Sequence, residues 1–166
     1  MSEKKWHVLY SKPRWEKKLD ESLVKKGFES WCPLNKVQKQ WSDRKKIVEE
    51  PLFKSYVFVK INEAERTEIL MTPGALNFVY YLRKPAIIRD VEIETIKLYL
   101  QDGDAKIDIV DASVFKENSK VKIKQGIFLN AEGKVLRTGK KKIYVLIESL
   151  ASVMVVEFKT EHLLKI

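Results

Sequence analysis

Pro51-Leu-Phe-Lys-Ser-Tyr-Val-Phe-Val-Lys-Ile61 is the stretch on which the fold turns. Beyond the proline, Tyr56, Phe58 and Lys60 alternate with Val57, Val59 and Ile61, the two-residue period of a β-strand. The aliphatic set belongs in a core. The other set presents two rings and a lysine, and exposed rings on a central strand call for a partner that covers them.

Upstream, Trp6 to Tyr10 is apolar and aromatic and predicts a first strand. A helix is expected over residues 13–26, with Pro13 in its first turn, Gly27 just past its end and a buried stripe of Trp15, Leu19 and Leu23. Residues 28–40 return to strand character, and Pro33 argues for an edge or a bulge. Gln40-Trp-Ser-Asp-Arg-Lys-Lys46 reads as a hairpin tip. Its surroundings carry Lys36, Lys39, Arg44, Lys45 and Lys46 against Asp43, which suits phosphate contact and equally suits an ordinary solvated loop.

Downstream, Asn62 followed by Glu65 is a helix-start pair, and Thr72-Pro-Gly74 stops the helix that carries Ile69 and Leu70. Residues 75–82, with Phe78, Val79, Tyr80 and Tyr81, read as another strand, and Asp90 opens a third helix. This order predicts a split βαβ arrangement, helices on one side of an antiparallel sheet and the other side free.

Residues 103–113 are Asp-rich and read as a linker. Beyond them Val121, Ile123, Ile127, Leu129, Val135, Ile143, Val145, Ile147, Val153, Val155 and Phe158 form short alternating runs between Gly126, Gly133 and Gly139. Helices would have to absorb those glycines at about 1 kcal/mol each, so a small barrel is expected over 114–166. The class is α+β: a sheet-and-helix domain over 1–102 and a small all-β barrel after it.

The net charge of +9 fits a polyanionic environment such as nucleic acid. Cys32 is the single cysteine, which excludes an internal disulfide, and with only His7 and the distant His162 no zinc set forms. No cofactor is implied. The N-terminus lacks a signal-peptide core and no apolar run reaches bilayer length, so a cytoplasmic protein without membrane contact is expected. A phosphate-binding glycine loop and a nucleophile with its base are both missing, which argues against an enzyme.

The two parts in this order resemble the NusG family of transcription elongation factors, with an NGN domain, a linker and a KOW domain of SH3-like barrel type. The resemblance rests on Trp6-His-Val-Leu-Tyr10, Pro51-Leu-Phe-Lys-Ser-Tyr-Val-Phe-Val59, Thr72-Pro-Gly74 with Phe78-Val79, Lys84-Pro-Ala-Ile-Ile88, Val121-Lys-Ile-Lys-Gln-Gly-Ile-Phe128 and Gly133-Lys-Val135. Gln40-Trp-Ser-Asp-Arg-Lys-Lys46 and Pro51-Leu-Phe53 look most like the specialised UpxY and RfaH-type paralogues, antiterminators of polysaccharide operons.

That resemblance implies a monomeric protein that binds the clamp helices of RNA polymerase and suppresses pausing or termination. By position it puts polymerase contact on Tyr10, Phe53, Tyr56, Phe58 and Phe78. It further implies that Lys12, Arg14, Lys17 and Lys18 face the non-template DNA strand. Leu150 stands at the barrel tip where the family engages ribosomal protein S10 or Rho; it is apolar but lacks a ring, which argues against Rho recruitment. A basic belt over 116–142 is a second candidate surface, for RNA or a ribosomal partner. Lys54-Ser55 replaces the family's Pro-Gly, so a glycine-type backbone there is either not required or tolerated differently.

The competing reading is a single-stranded RNA binder of the RRM type. Lys54-Ser-Tyr-Val-Phe-Val-Lys-Ile61 matches the RNP1 pattern loosely, with Tyr56 and Phe58 at stacking positions. Val57 and Ile61 depart from that pattern, and the barrel is left without a role.

Overall fold

A computed structural model of the chain describes residues 3–101, 106–111, 126–129, 135–137 and 142–157. The chain divides into two compact units, Met1–Arg89 and Asp90–Ile166.

In the first unit, β1 (Lys5–Ser11) is flanked by β5 (Tyr56–Ile61) on one side and by β6 (Ala75–Phe78) and β9 (Ile87–Ile88) on the other, all antiparallel. The three-residue β2 (Glu29–Trp31) completes the sheet at the outer edge of β5. Helix α1 (Glu16–Lys25) and the short α2 (Arg66–Leu70) supply its packing partners. Leu19 and Leu23 of α1 and Ile69 of α2 cluster with Leu9, Val57, Val59, Ile61 and Phe78. At about 1.5–3 kcal/mol for each fully buried side chain, this cluster is the main apolar driving force of the unit.

Helix α1 starts later than the apolar spacing predicts. Arg14 takes a left-handed backbone (φ 67°), which no helix interior tolerates, so Pro13 and Arg14 form a turn and Trp15 becomes the residue before the helix. The helix ends as expected, with Gly27 at φ 93° and its N–H on the carbonyl of Val24. After Ile61, Asn62 donates its backbone N–H to Glu65 Oε1 at 3.1 Å, and a 3₁₀ turn (Glu63–Glu65) leads into α2.

The strand expected over 28–40 is broken at Cys32-Pro33. β2 stays with the sheet, whereas β3 (Leu34–Gln40) leaves it and pairs with β4 (Lys45–Pro51) as a separate two-stranded hairpin. Residues 75–82 also divide: after β6, β7 (Tyr80–Tyr81) folds back on β8 (Lys84–Pro85) through Leu82 and Arg83, both at positive φ.

The second unit holds α3 (Asp90–Leu100), which buries Ile93, Ile96 and Tyr99. Its sheet runs β10 (Lys106–Asp111), β14 (Ser152–Glu157), β13 (Lys142–Ile147), β11 (Gly126–Leu129) and β12 (Val135–Arg137) in spatial order. β10 falls inside the segment expected to be a linker, and it pairs with β14 along its whole length. Asp108 and Asp111 hide an alternation that Ile107 and Ile109 carry. Where a barrel is expected over 114–166, the described strands join β10 in a sheet whose pairings are antiparallel except for β11 beside β13. The stretch from Val121 to Gln125, Gly133, Gly139, Phe158 and most of the basic belt lie outside the described residues.

Candidate polymerase and nucleic-acid interface

Opposed residues of an antiparallel pair point to the same side, so the registers sort the sheet into two faces. Leu9 lies opposite Val57 and opposite Phe78, and all three face the helices. Val8 with Phe58 and Tyr10 with Tyr56 form the other face.

That second face is not bare along its length, contrary to the one-sided expectation. Phe58 is 0% exposed. Trp31 lies directly opposite it on β2 with ring centroids 5.7 Å apart, and Phe53 closes over it edge-on at 5.5 Å. The loop that delivers Phe53 is pinned where the Leu52 N–H donates to the carbonyl of Pro33 at 2.9 Å. Val8 and Trp6, further along β1, are buried as well.

The five residues assigned to polymerase contact therefore part company. Phe78, 1% exposed, sits on the helix-facing side, with the Arg66 guanidinium carbon 5.1 Å from its ring centroid. Phe53 (4% exposed) and Phe58 support the second face from beneath. Tyr10, 39% exposed, and the half-buried Tyr56 reach its surface, ring centroids 5.3 Å apart at 67°. Phe53 stacks under Tyr56 at 6.4 Å and 17°. Burial, followed by the hydrogen bond to Tyr10, pushes the Tyr56 phenol up to about 12. The alternation of 56–61 puts Tyr56 and Phe58 on one face, as the register does; Trp31, at the end of a three-residue strand just before the break at Pro33, gives no pattern from which its cover of Phe58 could be read.

Beside the tyrosine pair the chain reverses through Lys54 and Ser55. Ser55 adopts φ 64°, so of the two alternatives left by Lys54-Ser55 the second holds: the glycine-type backbone is kept and tolerated by a serine. Such a conformation costs a non-glycine residue about 1–2 kcal/mol. Three contacts hold it. The Ser55 carbonyl accepts from the Ser11 N–H at 2.8 Å, its own N–H donates to Glu16 Oε2 at 2.9 Å, and Tyr56 N–H closes on the Phe53 carbonyl at 3.3 Å.

The four basic residues predicted to meet DNA split into two groups. The Lys12 and Lys18 ammonium groups lie 5.7 and 5.1 Å from the Trp15 ring centroid, and this ring is half-buried rather than core. Its inner side lies on Gly74, where a Cβ would stand 2.8 Å from Trp15 Cε3. Arg14 and Lys17 instead line a concavity of about 580 Å³ with Lys39, Lys54, Glu16 and Glu50. Lys17 donates to the carbonyl of Glu49 at 2.9 Å, and Lys39 pairs with Glu50 at 3.2 Å. The sequence points Lys39 at phosphate only as part of the hairpin tip and does not single out Lys54, because only the fold brings β3 and the 54–55 turn next to the start of α1.

At the hairpin tip Trp41 is 53% exposed, with Lys46 Nζ 5.9 Å from its ring centroid. Since Lys46 opposes Lys39, these two lysines share one side of the ribbon.

In the second unit, Leu150 ends a 3₁₀ turn (Glu148–Leu150) between β13 and β14 and is 8% exposed. It is a buried residue, not the projecting knob expected from its place at the tip; Ala151 after it, at φ 50°, is the exposed one.

Among the described residues no group of His, Cys, Asp and Glu is placed to hold a metal ion, and no helix is long and apolar enough to cross a membrane.

A family model described as "Transcription termination factor nusG" matches residues 4–97, more than half of the chain. The chain belongs to the NusG family. NusG proteins described as "Transcription termination/antitermination protein NusG", from Streptococcus pyogenes serotype M3 (strain ATCC BAA-595 / MGAS315) and serotype M1, are each 25% identical to it over 169 residues, covering 93% of this chain and 92% of theirs. A solved structure titled "Domain interaction in Thermotoga maritima NusG" is 21% identical, covers 65% of this chain and 73% of its own, and superposes with a TM-score of 0.39. The protein is thus a NusG-family transcription termination/antitermination factor with a mixed α/β fold. Phe58, buried beneath two rings, does not offer the stacking platform that an RRM-type reading requires.

Proposed function

We propose that this NusG-family factor docks on the clamp helices of elongating RNA polymerase through Tyr10 and Tyr56 and suppresses pausing and termination. The observation that carries the reading is the Tyr10–Tyr56 pair: two rings at the surface of a sheet face that buries Trp6, Val8 and Phe58, stiffened from below by Phe53 and Phe58. Rigid, amphipathic rings of this kind dominate interface energetics because they bury large area at little conformational cost. Phe53 and Phe58 act in this scheme as supports, and Phe78 belongs to the core.

Lys12, Arg14, Lys17 and Lys18, joined by Lys54, lie beside the tyrosines on the same unit and suit a nucleic-acid strand leaving the docked polymerase. The likeness of Gln40 to Lys46 and of Pro51 to Phe53 to the UpxY and RfaH-type paralogues supports an operon-specific antiterminator of polysaccharide synthesis. A two-domain organisation belongs to the same reading, with the second domain, whose sheet includes β10, serving a translation partner such as a ribosomal protein rather than Rho.

Capture of purified RNA polymerase by the wild-type chain, and its loss with Tyr10→Ala combined with Tyr56→Ala, tests docking. Transcription through a terminator with and without Rho tests the outcome. Increased read-through in both conditions is expected, and increased termination with Rho would reverse the assignment.

A further inference from the structure

We infer that Glu16 is a positioning residue for the tyrosine surface: its carboxylate holds Ser55 in the left-handed backbone that aims Tyr56 outward. The inference rests on the docking reading above and adds to it the group that sets the surface's shape.

Glu16 is the first residue of α1, yet its side chain is 6% exposed while its neighbours Lys17 and Lys18 are exposed. Acidic residues in a first helical turn ordinarily stand in water near the positive end of the helix. This one turns inward and accepts the Ser55 N–H at 2.9 Å, thirty-nine positions away in sequence. A carboxylate acceptor makes that bond stronger than a neutral one would be.

What it anchors is strained. Ser55 has φ 64°, and the residue that follows is Tyr56. Without its anchor a serine relaxes toward negative φ, because its Cβ crowds the carbonyl in the left-handed region. Such a rotation swings the start of β5 and separates the Tyr56 ring from Tyr10, 5.3 Å away, and from Phe53, 6.4 Å away.

The same carboxylate lines the concavity with Arg14, Lys17 and Lys54. Glu16 therefore joins the two surfaces: the helix start that carries the cations and the turn that carries the ring share one hydrogen bond. The polymerase-facing and strand-facing groups keep a fixed mutual geometry through it.

The test is titration of RNA polymerase with the full chain bearing Glu16→Gln, Glu16→Ala, or Glu16→Ala with Ser55→Gly, each checked for folding by circular dichroism. Glu16→Gln keeps an acceptor and is expected to bind within a few-fold of wild type. Glu16→Ala is expected to bind about tenfold more weakly. Adding Ser55→Gly restores binding, because glycine takes positive φ without an anchor. Wild-type affinity in Glu16→Ala overturns the inference, as does a doubled variant that fails to fold or to bind. Tyr10→Ala with Tyr56→Ala is titrated alongside: loss there with no effect at Glu16 refutes the positioning role alone, whereas no loss there refutes the docking reading itself.

Discussion

Tyr10 and Tyr56 face each other across β1 and β5, and Tyr56 holds its phenolic proton to a pKa of about 12 because burial and the bond to Tyr10 both disfavour the anion. Two rings in such contact act as a unit, so their substitutions are not additive. Each single alanine variant is expected to lose most of the polymerase affinity that the double variant loses, with a coupling of about 0.5–1.5 kcal/mol in a double-mutant cycle. Additive losses would mean that the rings bind separately. Because the folded pKa lies above the usual value of 10, the stabilisation from the protonated phenol is complete below pH 10 and is lost as pH rises from 10 towards 12. Alkaline unfolding followed by circular dichroism should steepen in that window for wild type and less so for Tyr56→Phe.

Gly74 carries φ 97° and lies under Trp15 with no room for a Cβ. Its carbonyl also accepts from the Lys12 N–H at 2.9 Å, so a shift here moves the basic turn. Gly74→Ala is expected to cost about 1–2 kcal/mol, lowering Tm by roughly 5–15 °C, and to change Trp15 fluorescence. An unchanged Tm would show that the indole moves aside freely.

His7 is buried on the helix-facing side of β1, with Nδ1 2.9 Å from the Lys5 carbonyl and its ring 5.7 Å from that of Phe78. Burial lowers its pKa from 6.5, the charge of Arg66 adds to this, and the Lys5 carbonyl only partly opposes it. The unfolded chain thus takes up a proton more readily than the folded one below about pH 6.5, so stability holds above that pH and declines as pH falls. Urea unfolding at pH 8 and at about pH 5.5 should show a larger loss for wild type than for His7→Phe.

Much of this unit can be read from the residue pattern, and the exceptions share a cause. Period-two alternation places Val57, Val59 and Ile61 in the core, and the Asn62 and Glu65 pair marks the turn before α2. What one strand's pattern lacks is knowledge of its neighbours. Phe58 is covered because β2 puts Trp31 opposite it, and Phe78 changes face because β6 aligns it with Leu9. The late start of α1 has a local cause, the left-handed Arg14, which no propensity favours. At the proposed docking surface the exposure of Tyr10 and Tyr56 follows the alternation, whereas the inward turn of Glu16 does not show in the pattern, because a glutamate in a first turn looks like an ordinary helix-end charge.

Trp41 and Lys46 at the end of the β3–β4 hairpin form an exposed ring and cation pair. If the hairpin meets nucleic acid, Trp41 fluorescence is quenched by a single-stranded oligonucleotide. Lys46→Ala weakens that binding and lowers its salt dependence by about one unit of slope. Trp41→Phe keeps most of the affinity, and quenching insensitive to salt would point to contact without phosphate.

β1 occupies residues 5 to 11 and draws its hydrogen-bonding neighbours from β5, β6 and β9, the last ending at Ile88. During translation β1 has no complete set of partners until the roughly eighty residues that follow it, up to Ile88, have been made. At about 5–20 residues per second that is a wait on the order of 5–20 s, during which Trp6, Val8 and Leu9 stand open to chaperones. A nascent chain stalled before Ile88 emerges should remain protease-sensitive throughout β1.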